Sequence, residues 1–77
     1  MLVQERFRKA CHGSVAEVWV DLGMLRYGVE LYENGALAER QSGWRPSGEI
    51  EAHLVARDFA VLVRIDAVGK VACTWAN

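Results

Sequence analysis

The 77-residue chain has a single proline and no low-complexity tract, which leaves little room for a linker or a disordered segment. One domain over residues 1–77 follows from the length. No run is long and apolar enough to span a bilayer. The start, Met1 to Lys9, lacks the apolar centre of a signal peptide. The expectation is therefore a cytoplasmic protein with no membrane attachment, its Cys11 and Cys73 reduced thiols. Neither charge sign dominates: nine basic and ten acidic residues leave a formal charge of −1. Net charge thus gives no pull toward nucleic acid or an anionic surface.

The motifs of chemistry are also missing. There is no Gly-rich phosphate loop, no nucleophile elbow and no paired-carboxylate signature. Cys11, His12, His53 and Cys73 supply the ligand types of a structural zinc site, but no Cys-x-x-Cys or His-x-x-x-His spacing joins them. Cys11 sits near Arg6, Arg8 and Lys9, which would favour a thiolate, and His53 is the imidazole that a nucleophilic pair would need. The plainer reading makes Cys73 a small buried hydrophobe and Cys11 a helix-end thiol. A non-enzymatic protein without metal or cofactor is the expectation, and a thiol- or metal-dependent protein is the remote alternative.

What the chain does have is apolar residues, 52% of the total. Ten alanines inflate that share, but ten valines, seven leucines and three tryptophans do not. A chain this short buries only about 60% of its unfolded surface. Self-association into a homodimer is one outlet for the surplus.

The clearest pattern is a hairpin from Phe59 to Trp75. With Ala67-Val68-Gly69 as a three-residue loop and Gly69 left-handed, Ile65 faces Val71, Val63 faces Cys73 and Val61 faces Trp75. Asp66 would pair with Lys70 at the mouth of the turn. Earlier, residues 15–22 alternate, with Ala16, Val18, Val20 and Leu22 on one side. A two-residue Gly23-Met24 turn would oppose Leu22 to Leu25, Val20 to Tyr27, Val18 to Val29 and Ala16 to Leu31. It would lay Trp19 over Gly28, but it sets Glu17 against Glu30. Asn34-Gly35 is the strongest turn signal, followed by a weak edge strand over 36–41 and a loop over 42–48. Residues 49–57 read as a strand, with Ile50, Ala52, Leu54 and Ala56 against Ile65, Val63, Val61 and Phe59. Ser47 as a cap and Glu49 and Glu51 in a first turn make them an alternative second helix. Residues 1–11 fit an amphipathic helix carrying Val3, Phe7, Ala10 and Cys11 on one stripe. The rival there is a strand turning at His12-Gly13. A shift of 34 residues lays Val18 on Ala52, Val29 on Val63 and Gly35 on Gly69; shared β-patterning accounts for this without duplication.

The fold class that follows is α+β: an antiparallel meander of five to six strands with one N-terminal helix packed on it. A small closed all-β barrel is the alternative. Functionally, the patterning points to a protein–protein interaction module. Trp19, Tyr32, Trp44, Arg45 and Leu62 are the candidate interface residues, because Trp, Tyr and Arg are what interface centres favour. Val55, Ala60 and Ala72 would share the outer face with Leu62, and an apolar outer face calls for a cover. That cover would be the N-terminal helix or another chain. The alternative is a nucleic-acid binder using Arg6, Arg8 and Lys9 of a basic helix together with Arg45 in the Trp44 loop.

Overall fold

The structure is a computed structural model that describes residues 3–44 and 48–76. Alternation is the rule throughout it. The seven strands are β1 (Val3–Cys11), β2 (Ser14–Leu22), β3 (Arg26–Glu33), β4 (Ala36–Trp44), β5 (Ile50–Val55), β6 (Ala60–Ile65) and β7 (Val71–Trp75). Among the described residues there is no helix. The fold is all-β, and the expected N-terminal helix is replaced by the longest class of strand in the chain.

The reason lies at His12-Gly13. His12 has φ 50° and Gly13 φ 82°, the two consecutive left-handed residues of a type I′ hairpin turn. Histidine tolerates that region better than most residues. The turn folds residues 3–11 back onto β2, with Cys11 opposite Ser14 and Phe7 opposite Val18. Nine residues of ladder then outweigh a helix propensity that is weak in any case. Asn34-Gly35 makes the same turn between β3 and β4, with φ 51° and 84°.

The strands form two antiparallel meanders, β1-β2-β3-β4 and β5-β6-β7. The alternative helix over 49–57 is absent, since Ile50–Val55 is a strand in that stretch. The closed barrel is not formed either, because β1 and β7 belong to different sheets. Between the sheets lies one core. Ala16, Val18, Val20, Leu22, Val29 and Leu31 come from the first; Ile50, Ala52, Leu54, Val61, Val63 and Ile65 come from the second, with Phe59 beside them. β5 packs along β3 and β4. There the Glu39 carboxylate accepts from the Val55 amide and Glu33 Oε2 accepts from the Asp58 amide at 2.9 Å. At the other side, Phe7, Cys11, Val71, Cys73 and Trp75 pack on the core while only partly buried.

The second sheet has the expected registers. Ile65 faces Val71, Val63 faces Cys73 and Val61 faces Trp75; Ile50 faces Ile65 and Leu54 faces Val61. Gly69 is left-handed at φ 90°. Asp66 differs in role. Its Oδ1 accepts from the amides of Val68 and Lys70 at 3.0 and 2.8 Å, so it caps the loop backbone where an ion pair to the Lys70 ammonium was expected.

The β2–β3 register is offset by two residues from the expected one. Leu22 faces Tyr27, Val20 faces Val29 and Val18 faces Leu31. A slip of two keeps every side chain on its face, so the inner set is unchanged. The slip moves Glu17 away from Glu30 to oppose Tyr32 and sets Glu30 opposite Trp19, removing the like-charge contact. The cost is a wider turn, closed by Gly23 N–H to Arg26 C=O at 2.9 Å, with Leu25 left 68% exposed. The aromatic over a strand glycine is Tyr27 over Gly43: a Cβ on Gly43 would meet the ring at 3.4 Å. The 34-residue similarity does not extend to register, since Val18 pairs with Leu31 whereas Ala52 pairs with Val63 and not Ile65.

Candidate functional site

The outer face of the four-stranded sheet is built from the residues that alternate with the core. Arg6 of β1 opposes Trp19 of β2, Trp19 opposes Glu30 of β3, and Glu30 opposes Arg40 of β4. This row crosses the whole sheet. The Arg6 guanidinium lies over the Trp19 ring at 4.1 Å from its centroid, a cation–π contact. Tyr32 packs against Trp19 on its other side, ring centroids 5.2 Å apart. The Tyr32 hydroxyl donates to Glu30 Oε1 at 3.3 Å, and Arg40 Nε lies 3.8 Å from Glu30 Oε2. Loss of water around the Tyr32 ring, then the Glu30 carboxylate, raises the phenol pKa above its ordinary value.

A second aromatic–arginine pair stands one strand away. Arg26 lies over the Trp44 ring at 4.7 Å, and Trp44 is 69% exposed. Between the two pairs the sheet surface is bare, because β3 has Gly28 there, and a Cβ at that position would meet nothing within 4 Å. A depression of about 160 Å³ results, walled by Arg6, Trp19, Asp21, Glu30 and Arg40. It continues over Gly28 toward Arg26, Ser42 and Trp44. The groove therefore has aromatic walls, a backbone floor and charges of both signs on its rim. Such a surface can hold a polypeptide by apolar contact and by paired charges.

The structure brings Trp19, Tyr32 and Trp44 onto one face. Arg45 lies outside the described residues. Leu62 is elsewhere, on the outer face of the three-stranded sheet, where His53, Val55, Ala60, Thr74 and Ala76 surround it. With no N-terminal helix, that face lacks the intramolecular cover considered for it. The basic patch of the nucleic-acid alternative is also divided. Arg6 and Arg8 are outward on β1, but Lys9 is opposite Ala16 and so on the inner side. Arg26, Arg40 and Gly28 are the site residues that sequence reasoning missed. Arg26 and Gly28 are outward in either register; what the expected register hid is that Gly28 lies beside Asp21, and reading 42–48 as a loop hid that β4 runs on to Trp44.

The thiols and imidazoles do not assemble. Cys11 Sγ lies 3.1 Å from its neighbour His12 Nδ1 at an exposed turn. His53 is on the outer face of the other sheet, opposite Leu62. Cys73 faces inward opposite Val63, and burial, then the Glu5 carboxylate, pushes its pKa up to about 11. Among the described residues no group of three or more His, Cys, Asp or Glu could hold a metal ion. None of the described residues forms a helix long and apolar enough to cross a membrane. On the second sheet, Arg64 bonds Glu51 and lies 3.4 Å from Glu49, which raises its pKa. No protein-family model, no curated protein and no solved structure matches the chain.

Proposed function

We propose that this chain is a small non-enzymatic protein–protein interaction module whose contact surface is the outer face of β1–β4. The observation that carries this reading is the groove over Gly28, framed by the Arg6–Trp19 and Arg26–Trp44 pairs. Tryptophan and arginine dominate the energetics of protein interfaces. Glu17, Asp21 and Glu30 share the face with Arg6, Arg8, Arg26 and Arg40, so the fitting partner is a polypeptide of mixed charge. A single-stranded nucleic acid is the second reading, since aromatics with arginines on a sheet can stack bases. The three carboxylates and the Arg40–Glu30 pair weigh against it.

Gly28 gives the test. A photo-crosslinking residue at Ser42 is expected to yield a discrete protein adduct in cells that express the chain. Gly28→Leu should abolish it by filling the groove. Gly28→Leu should leave stability equal or higher, because a strand glycine costs about 0.5–1 kcal/mol relative to alanine and the new side chain enters open space. Adduct formation that survives Gly28→Leu overturns the reading. Tryptophan quenching by an oligonucleotide at physiological salt, lost in Gly28→Leu, would favour the nucleic-acid reading in its place.

A further inference from the structure

The two sheets have four edges, and three of them are guarded in ways that natural sheets use against edge pairing. β1 carries Glu5, Arg6, Arg8 and Lys9 along its length. β4 has a bulge where the register shifts opposite Leu31 and Tyr32, followed by Glu39 and Arg40. On β5, the outward amide of Val55 is taken by the Glu39 carboxylate, and Glu51 is charged. β7 is different. Val71-Ala72-Cys73-Thr74-Trp75 has no charge, no proline and no bulge, and among the described residues it is paired on one side only, by β6.

The hydrogen-bond phase says which groups are turned outward. The Ala76 amide donates to the Ala60 carbonyl at 2.9 Å and the Asp66 amide to the Lys70 carbonyl at 3.0 Å. Even-numbered residues of this strand therefore address β6. The amides and carbonyls of Val71, Cys73 and Trp75 address the open edge. Those same three residues point their side chains inward but are only partly buried, while Ile65, Val63 and Val61 beside them are fully buried. Among the described residues this edge has no ladder partner, and its inward side chains are only partly covered.

We propose that β7 is the site at which two copies of this chain associate, pairing antiparallel about a two-fold axis at Cys73. The two three-stranded sheets then join into one of six strands. Self-pairing is the occupant that the residues fit. Val71 falls opposite Trp75 of the second copy, Ala72 opposite Thr74 and Cys73 opposite Cys73, so every inward pair is apolar and the strand itself brings no charge, the nearby carboxylate being Glu5 of β1. The other strands offered by a second copy would bring Arg8, Glu39 or Glu51 there. Trp75 of each copy gains the cover it lacks by lying across Val71 of the other. This pairing is independent of the groove over Gly28, which is on the other sheet.

The test uses the full chain. Sedimentation across a concentration series should show a monomer–dimer equilibrium, the contact being small. Ala72 and Thr74 are exposed and outward, so the double variant Ala72→Lys/Thr74→Lys should keep its far-UV spectrum and become monomeric. A Leu37→Lys variant on the β4 edge should still dimerise. Facing residues at such a position have Cα atoms about 5.5 Å apart, within disulfide reach. Copper-phenanthroline oxidation at alkaline pH should therefore link Cys11→Ser into a covalent dimer through Cys73, and should leave Cys73→Ser unlinked. A wild-type chain that stays monomeric at its highest soluble concentration overturns the proposal. So does a dimer that survives the double lysine variant, or one that links through Cys11. If the lysine variant misfolds, the oxidation experiment decides.

Discussion

Cys73 shows how one inward side chain at a partly covered edge acquires chemistry. Burial first, and the Glu5 carboxylate second, raise its pKa from 9.0 to about 11. A raised thiol pKa means that the folded chain holds the proton more tightly than the unfolded chain. The stability this provides is fully present below pH 9 and is lost as pH rises from 9 toward 11. The thiol is only half-buried, so the effect should be about 1 kcal/mol after allowance for solvent screening. Urea midpoints measured at pH 8 and at pH 11 should fall further in the wild type than in Cys73→Ala. Equal slopes for both would remove Cys73 as the cause. At neutral pH the same shift keeps Cys73 protonated and a weak nucleophile.

At the scale of elements, the turns decide the fold. Asn34 holds two of them together: it adopts φ 51° in its own turn, while its Oδ1 accepts from the Val15 amide at 2.9 Å and its amide donates to the Val15 carbonyl at 2.8 Å. Asn34→Ala should cost about 1–2 kcal/mol, from the left-handed backbone and the orphaned Val15 amide together. Asn34→Gly should restore the backbone part alone, which thermal melts of the two variants would separate. A neutral Asn34→Ala would mean that Val15 and the turn need no such clamp. Asn34-Gly35 and the Asp66–Lys70 loop were legible in the sequence because their residues specify the turn locally. The Gly23-Met24 turn was not, because the same alternation fits registers two residues apart, and only the Glu17–Glu30 conflict favoured one. The N-terminal strand was misread because Val3, Phe7, Ala10 and Cys11 also satisfy a helical stripe. Only His12-Gly13 separated the two, and a histidine is a weak announcer of a left-handed residue. Trp19 and Tyr32 were legible as outward aromatics, whereas Trp44, read into a loop over 42–48, is the last residue of β4. The groove between them was not, since it depends on Gly28 lying beside Asp21, a pairing that the register creates.

At the scale of the molecule, neither sheet can stand alone. Each buries one face against the other, and the 13 buried hydrophobic residues among those described form a single cluster drawn from both. Among the described residues no buried side-chain nitrogen or oxygen lacks a partner, so the core is held by packing, with Glu39 and Glu33 pinning β5 at one side. Leu54 is fully buried near the end of β5, and its neighbour Val55 is 61% exposed. Leu54→Ala should cost about 2–5 kcal/mol, whereas Val55→Ala should stay within about 0.5 kcal/mol. In a domain of this size each kcal/mol lowers Tm by roughly 4–8 °C. The Leu54 lesion is in the three-stranded sheet, while Trp19 and Trp44 report on the four-stranded one and Trp75 on its own. If the core is shared, fluorescence with only Trp75 retained and fluorescence with only Trp19 retained should shift together in Leu54→Ala. A Trp19 transition that stays put while the Trp75 transition falls would show two sheets melting separately, and would contradict a common core.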